Sequence, residues 1–127
     1  MQAWGATVAF RIESINEMRQ TAQVRHGYQI QYADPISVRA GESLTVGRVD
    51  NDFPGWRWCR AADGRQGWVP VEFLSSEEPQ TTILKDYSAS ELQVAPGEEV
   101  TVEDARHGWL LVRNVKGECG WIPGECL

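Results

Sequence analysis

The chain has 127 residues, a net charge of −6, 42% hydrophobic and 24% charged residues, six tryptophans and three cysteines. That balance is globular and excludes a disordered chain, and no apolar run is long enough to span a membrane as a helix. Residues 75–127 hold four basic and ten acidic side chains, which is the whole of the imbalance. An acidic surface repels phosphate backbones, so nucleic acid is excluded as the expected partner. It favours a basic peptide or protein, or else serves only as a solvated face. The N-terminus lacks the basic-then-apolar layout of a signal peptide, and Cys59, Cys119 and Cys126 show no metal-type spacing. The expectation is a cytoplasmic protein with free thiols and no cofactor.

Residues 1–25 form an N-terminal extension. Val8, Phe10 and Ile12 alternate within Ala6–Glu13, which predicts a strand. Ser14-Ile15-Asn16-Glu17 has the form of a capping box, with Ile15, Met18 and Ala22 at helical spacing, which predicts a short helix.

From there the chain repeats itself. Val38-Arg39-Ala40-Gly41-Glu42-Ser43-Leu44-Thr45-Val46 returns as Val94-Ala95-Pro96-Gly97-Glu98-Glu99-Val100-Thr101-Val102. Gly55-Trp56 returns as Gly108-Trp109, and Gly67-Trp68-Val69-Pro70 as Gly120-Trp121-Ile122-Pro123. Self-similarity at near-fixed spacing signals one unit built twice. The reading is a first domain at 26–74, a polar linker at 75–80 and a second domain at 81–127.

In the first unit Tyr28, Ile30 and Tyr32 alternate, and Ala33-Asp34-Pro35 makes a turn. Leu44, Val46 and Val49 predict a half-buried strand, and 50–55 a loop. Trp56–Arg60 and Gln66–Val69 are strands joined by a hairpin at Asp63-Gly64. The second unit follows the same plan, with strands at Ile83–Tyr87, Val100–Glu103, Trp109–Arg113 and Cys119–Ile122. Short strands between turns, with no helical crossover, predict small antiparallel barrels or sandwiches.

These segments resemble the Src homology 3 (SH3) family over about residues 27–127. Leu84-Lys85-Asp86-Tyr87 is similar to its ALYDY segment, Glu91-Leu92-Gln93-Val94 to DLSF, Gly108-Trp109-Leu110 to the Trp-Trp strand and Gly120-Trp121-Ile122-Pro123 to Gly-Tyr-Ile-Pro. The first unit resembles the family through Val38–Val46, Trp56 and Gly67–Leu74. The resemblance implies an all-β fold of two small SH3-like antiparallel barrels in tandem, each with a shallow aromatic groove for proline-rich segments. The groove positions it implies are Ile30, Tyr32, Trp56, Pro70 and Phe73 in the first unit. In the second they are Lys85, Tyr87, Trp109, Pro123 and Cys126, with Glu91 where the family places an acid that pairs with a ligand arginine. Glu72 and Glu125 stand where the family has an asparagine, and the short Tyr87–Leu92 loop resembles bacterial variants.

Trp68 and Trp121 read as structural, and Cys59 as a small buried hydrophobe. Cys119 and Cys126 fall on elements expected to be exposed. No nucleophile elbow, isolated carboxylate pair, phosphate loop or paired metal ligands can be found, so the expectation is a protein that is not an enzyme. Three functions follow: an adaptor binding proline-containing or basic protein segments, with the first unit's groove as the favoured site and Asp86, Glu91, Glu103 and Asp104 facing a basic ligand; a structural, self-associating subunit; or a cell-wall or glycan-binding barrel, against which the absence of a signal-peptide layout argues.

Overall fold

In the computed structural model, residues 20–127 are described. The strand Ala6–Glu13 and the start of the helix after Ser14 lie outside the described residues, while Ala22, expected on that helix, lies instead in a strand at Gln20–Gln23. What is described is all-β, as expected, in antiparallel sheets of the SH3-like class. The strands are β1 (Gln20–Gln23), β2 (Ser37–Val38), β3 (Ser43–Val49), β4 (Trp56–Ala61), β5 (Gln66–Pro70), β6 (Gln80–Thr82), β7 (Tyr87–Ser88), β8 (Glu99–Arg106), β9 (Trp109–Asn114) and β10 (Cys119–Pro123). Short 3-10 turns at Val71–Phe73 and Gly124–Cys126 follow the prolines that end β5 and β10.

The strands group into two compact units that are not the two sequence repeats. One unit combines the stretch ending at Gln31 with Glu91–Leu127, and the other is Tyr32–Ser90. This grouping differs from the expected division at 26–74 and 81–127 because β1 pairs with β8 and β6 with β3. In the discontinuous unit the sheet order is β1-β8-β9-β10, with Ala22 opposite Val100. In the continuous unit it is β5-β4-β3-β6, with Thr81 opposite Leu44. Val100 and Leu44 occupy the same place in the repeat, so β1 and β6 are equivalent strands in equivalent registers.

The core of the discontinuous unit gathers Val24, Leu92, Val94, Val100, Val102, Leu110, Val112 and Ile122, with Tyr28 and Leu127 packed at its margin. Alternation along β8 and β9 supplies it, since every second side chain faces one side. In the continuous unit Ile36, Leu44, Cys59, Val69 and Ile83 are buried. Val49, expected half-buried, is 45% exposed at the far end of β3, beyond a register shift between Val46 and Val49.

Stretch 75–80, expected as a linker, is instead part of a hairpin inside the continuous unit. Leu74 bridges Ile83, the Ser75 N–H donates to the Thr82 carbonyl at 2.9 Å, and the Ser76 N–H donates to Thr81 Oγ1 at 2.9 Å. Thr81 is buried, and its hydroxyl is satisfied by the Ser76 N–H and by Ser76 Oγ at 3.1 Å.

The repeated glycines have two separate causes. Gly41 and Gly97 sit at φ 92° and 93°, a left-handed conformation that only glycine adopts without strain. The glutamate after each closes its turn: Glu42 Oε2 accepts from the Arg39 N–H and Glu98 Oε2 from the Ala95 N–H, both at 2.7 Å. Gly120 is needed for approach. A Cβ there would lie 2.6 Å from the Glu91 carbonyl carbon and 2.7 Å from the Leu92 nitrogen, where the segment entering the sheet bridges Trp121. At Gly67 the corresponding neighbours are Ile36 Cγ2 at 3.0 Å and Ala89 Cβ at 3.1 Å.

Candidate functional site

The site that the repeat points to is assembled in each unit by one cross-strand pair. Trp109 at the start of β9 stands opposite Pro123 at the end of β10, and Trp56 of β4 stands opposite Pro70 of β5. Directly opposed residues in an antiparallel ladder bring their side chains together on one face. Each proline also closes its strand, having no N–H to continue the ladder.

In the discontinuous unit the turn before Trp109 is the shortest a hairpin allows. Arg106 and Trp109 are opposed, and His107 and Gly108 between them both have positive φ, 42° and 94°. That is the two-residue turn whose twist matches the strands. It brings Trp109 to the ring of Tyr28, with centroids 5.7 Å apart and planes at 83°, an edge-to-face arrangement. Both rings are half-buried, while Pro123 and Cys126 are buried. Tyr28 is held by a two-way backbone bridge to Val94, at 2.9 and 3.0 Å.

Cys126, expected on an exposed element, is only 2% exposed. Burial pushes its thiol up to about 11, with the Glu125 carboxylate acting in the same direction. The 3-10 turn that follows Pro123 carries the side chain into the core. Cys59 is buried as expected, and burial lifts its thiol to about 11 against the opposing charge of Arg57.

In the continuous unit Tyr87 meets Phe73 at 5.5 Å with planes at 65°. Tyr87 Oη donates to the Trp68 carbonyl at 2.7 Å, and the Lys85 ammonium lies 4.7 Å above the Phe73 ring, within cation–π range. Trp56, Pro70, Phe73 and Tyr87 are all buried. A separate aromatic cluster lies in the same unit: Trp58 and Trp68, 5.0 Å apart, with Tyr32 5.4 Å from Trp58. Arg48 sits over both indoles, at 5.1 and 5.0 Å, and Trp58 Nε1 donates to Gln66 Oε1 at 2.6 Å.

The expected grooves are thus regrouped. Of the first set, Ile30 belongs to the discontinuous unit and is 48% exposed. Tyr32 joins the Trp58–Trp68–Arg48 cluster, while Trp56, Pro70 and Phe73 stay in the continuous unit. Of the second set, Lys85 and Tyr87 go to the continuous unit, and Trp109, Pro123, Cys126 and Glu91 to the other. Tyr28, which lies outside the expected groove sets, is the tyrosine that meets Trp109. Its signal was the pattern Val24 to Tyr28, which matches Ile83 to Tyr87 in spacing and residue type.

The acids expected to meet a basic ligand have partners inside their own units. Glu91 Oε1 accepts from the Gln31 N–H at 2.6 Å, and Asp86 Oδ1 from the Ala40 N–H at 2.9 Å. Glu103 accepts from Arg113 Nε at 3.1 Å and Asp104 from Arg106 Nε at 3.0 Å.

Residues 23–77 are similar to the variant SH3 domain, whose family model matches that stretch. No curated protein and no solved structure matches the chain. The matched stretch contributes to both compact units: its residues up to Gln31 to one, and those from Tyr32 onward to the other.

Proposed function

We propose that the protein is a non-enzymatic protein- or peptide-binding module that uses the aromatic surface built by Tyr28 and Trp109, with the buried Pro123 supporting the indole. SH3-type domains are in general protein-interaction modules, and the match at residues 23–77 supports that class. The observation that carries the site is the half-buried Tyr28–Trp109 pair at 5.7 Å with Pro123 opposite the indole. Flat aromatic walls at right angles suit the rings of a proline-containing segment, which loses little entropy because it is already extended. A basic side chain in that segment would be drawn to the acidic 75–127 region.

The test is a selection from a random peptide library on the intact protein, repeated with Trp109→Ala. Enriched proline-containing or basic sequences that the variant no longer retains are the expected result. Equal enrichment by both proteins would overturn the site, and no enrichment by the folded protein would overturn the function.

A second reading is a structural, self-associating subunit. It is favoured by the burial of Trp56, Pro70, Phe73 and Tyr87 in the continuous unit. These side chains act there as packing and offer no open groove wall. Retention of one folded partner, unaffected by Trp109→Ala, would decide for it.

A further inference from the structure

The discontinuous unit is closed by a small set of bonds between distant parts of the chain. The Val24 N–H donates to the Glu98 carbonyl at 2.8 Å, the Gly97 N–H to the Val24 carbonyl at 2.7 Å, and the Arg25 N–H to the Cys126 carbonyl at 2.7 Å. The Tyr28–Val94 bridge completes the set. Of the described residues before Tyr32, only Val24 is fully buried, at 2% exposure. Between the two partners of every one of these bonds lies Tyr32–Ser90, a compact unit of its own.

Nothing in this geometry depends on both segments belonging to the same chain. The complete intervening unit acts as a tether, and the chain passes between units only at Gln31–Tyr32 and Ser90–Glu91. Charge favours the same docking. Residues 20–31 carry Arg25 and no acid, whereas residues 91–127 carry seven acidic and three basic side chains. A strand with a single buried anchor is the element that leaves a core at least cost. Exchange of an identical element between protomers is a low-cost route to a dimer.

We infer that the 91–127 half accepts residues 20–31 from a second copy of this chain, giving a strand-exchanged dimer with the same bonds as the monomer. The tether sets an effective concentration for the internal strand, so exchange between copies grows as the protein concentration approaches it. The inference concerns self-recognition and stands whether or not the Trp109 surface binds a peptide.

Thr21 and Thr101 are directly opposed, at a spacing that a disulfide can bridge, and Cys119 is the exposed native thiol. Full-length Thr21→Cys and Thr101→Cys variants, both also Cys119→Ser and bearing different tags, are unfolded together, refolded at high and low concentration, and oxidised. The expected product is a mixed disulfide dimer whose share rises with refolding concentration. The double variant Thr21→Cys/Thr101→Cys should close an internal disulfide when refolded dilute. Internal closure at every concentration with no mixed dimer would overturn the inference. So would an internal disulfide formed in preference between Thr21→Cys and Thr45→Cys, which would put the strand on its own repeat. As a check free of substitutions, light scattering of the natural chain refolded at high concentration should show a dimer; a monomer throughout would overturn the inference as well.

Discussion

Tyr28 lies opposite Val94, although Val38 of its own repeat follows it closely in sequence. Its equivalent, Tyr87, lies opposite Val38. The two tyrosines have traded partners, and with them β1 and β6 have traded sheets. A lesion in β1 should therefore be felt far along the chain. Val24→Ala is expected to cost about 2 kcal/mol by removing buried methyl groups. Amide hydrogen exchange should quicken at Val94, Gly97 and Val100, while Val46 and Cys59 keep their protection. Faster exchange at Val46 and Cys59 instead would place β1 on the sheet of its own repeat.

Gly67 and Gly120, which open the two Gly-Trp-x-Pro segments, should differ in what they tolerate. At Gly120 an added Cβ meets backbone, the Glu91 carbonyl carbon and the Leu92 nitrogen, which cannot swing aside as a side chain can. Gly120→Ala is expected to destabilise by about 3 kcal/mol, at the upper end for overpacking. Gly67→Ala meets the Ile36 and Ala89 side chains at 3.0 and 3.1 Å, and about 1–2 kcal/mol is expected. Urea unfolding of the two variants measures both, and an equal loss would contradict the ordering.

Much of the fold could be read from the chain because local chemistry specifies it. Gly41-Glu42 and Gly97-Glu98 each encode a turn with its own carboxylate cap, and Asp63-Gly64 encodes a hairpin, with Gly64 at φ 91°. The Trp-Pro oppositions likewise follow from strand spacing. Partner choice for the first strands could not be read, and the repeat itself is the reason. Leu44 and Val100 present equivalent neighbours to Ala22 and to Thr81, so pattern alone ranks the two pairings equally. The same degeneracy hid the role of 75–80: a polar stretch between repeats reads as a linker until Ser75 and Ser76 are seen bonded to Thr82 and Thr81. Tyr32 drew attention by alternating with Ile30, but alternation cannot distinguish the Trp58–Trp68 cluster from the vicinity of Trp56.

Trp56 and Trp109 occupy equivalent positions but should respond differently to truncation. Trp56 is 4% exposed, and Trp56→Ala is expected to cost about 3–5 kcal/mol, as for a large core side chain. Trp109 is half-buried, so Trp109→Ala should cost less stability and act chiefly on ligand retention. Thermal melts beside peptide-binding measurements separate the two effects. A Trp109→Ala chain as unstable as Trp56→Ala would make Trp109 a core residue and remove it from the site.

The three thiols give a test of burial that needs no substitution. Cys119 is exposed while Cys59 and Cys126 are buried, so a thiol reagent should modify one cysteine quickly in the native protein and all three after unfolding. Both buried thiols are raised from 9.0 to about 11 in the fold, chiefly because burial disfavours the thiolate. A pKa that is higher folded than unfolded contributes stability that is fully present below the unfolded value, here below pH 9. That contribution is lost as pH rises from the unfolded value through the folded one, because between the two the unfolded chain releases protons that the fold retains. The melting temperature should accordingly decline between about pH 9 and 11, and the decline should weaken in a Cys126→Ala variant, which has lost one of the two titrating groups. Two fast-reacting thiols at neutral pH would instead show that the turn at Gly124–Cys126 presents its cysteine outward.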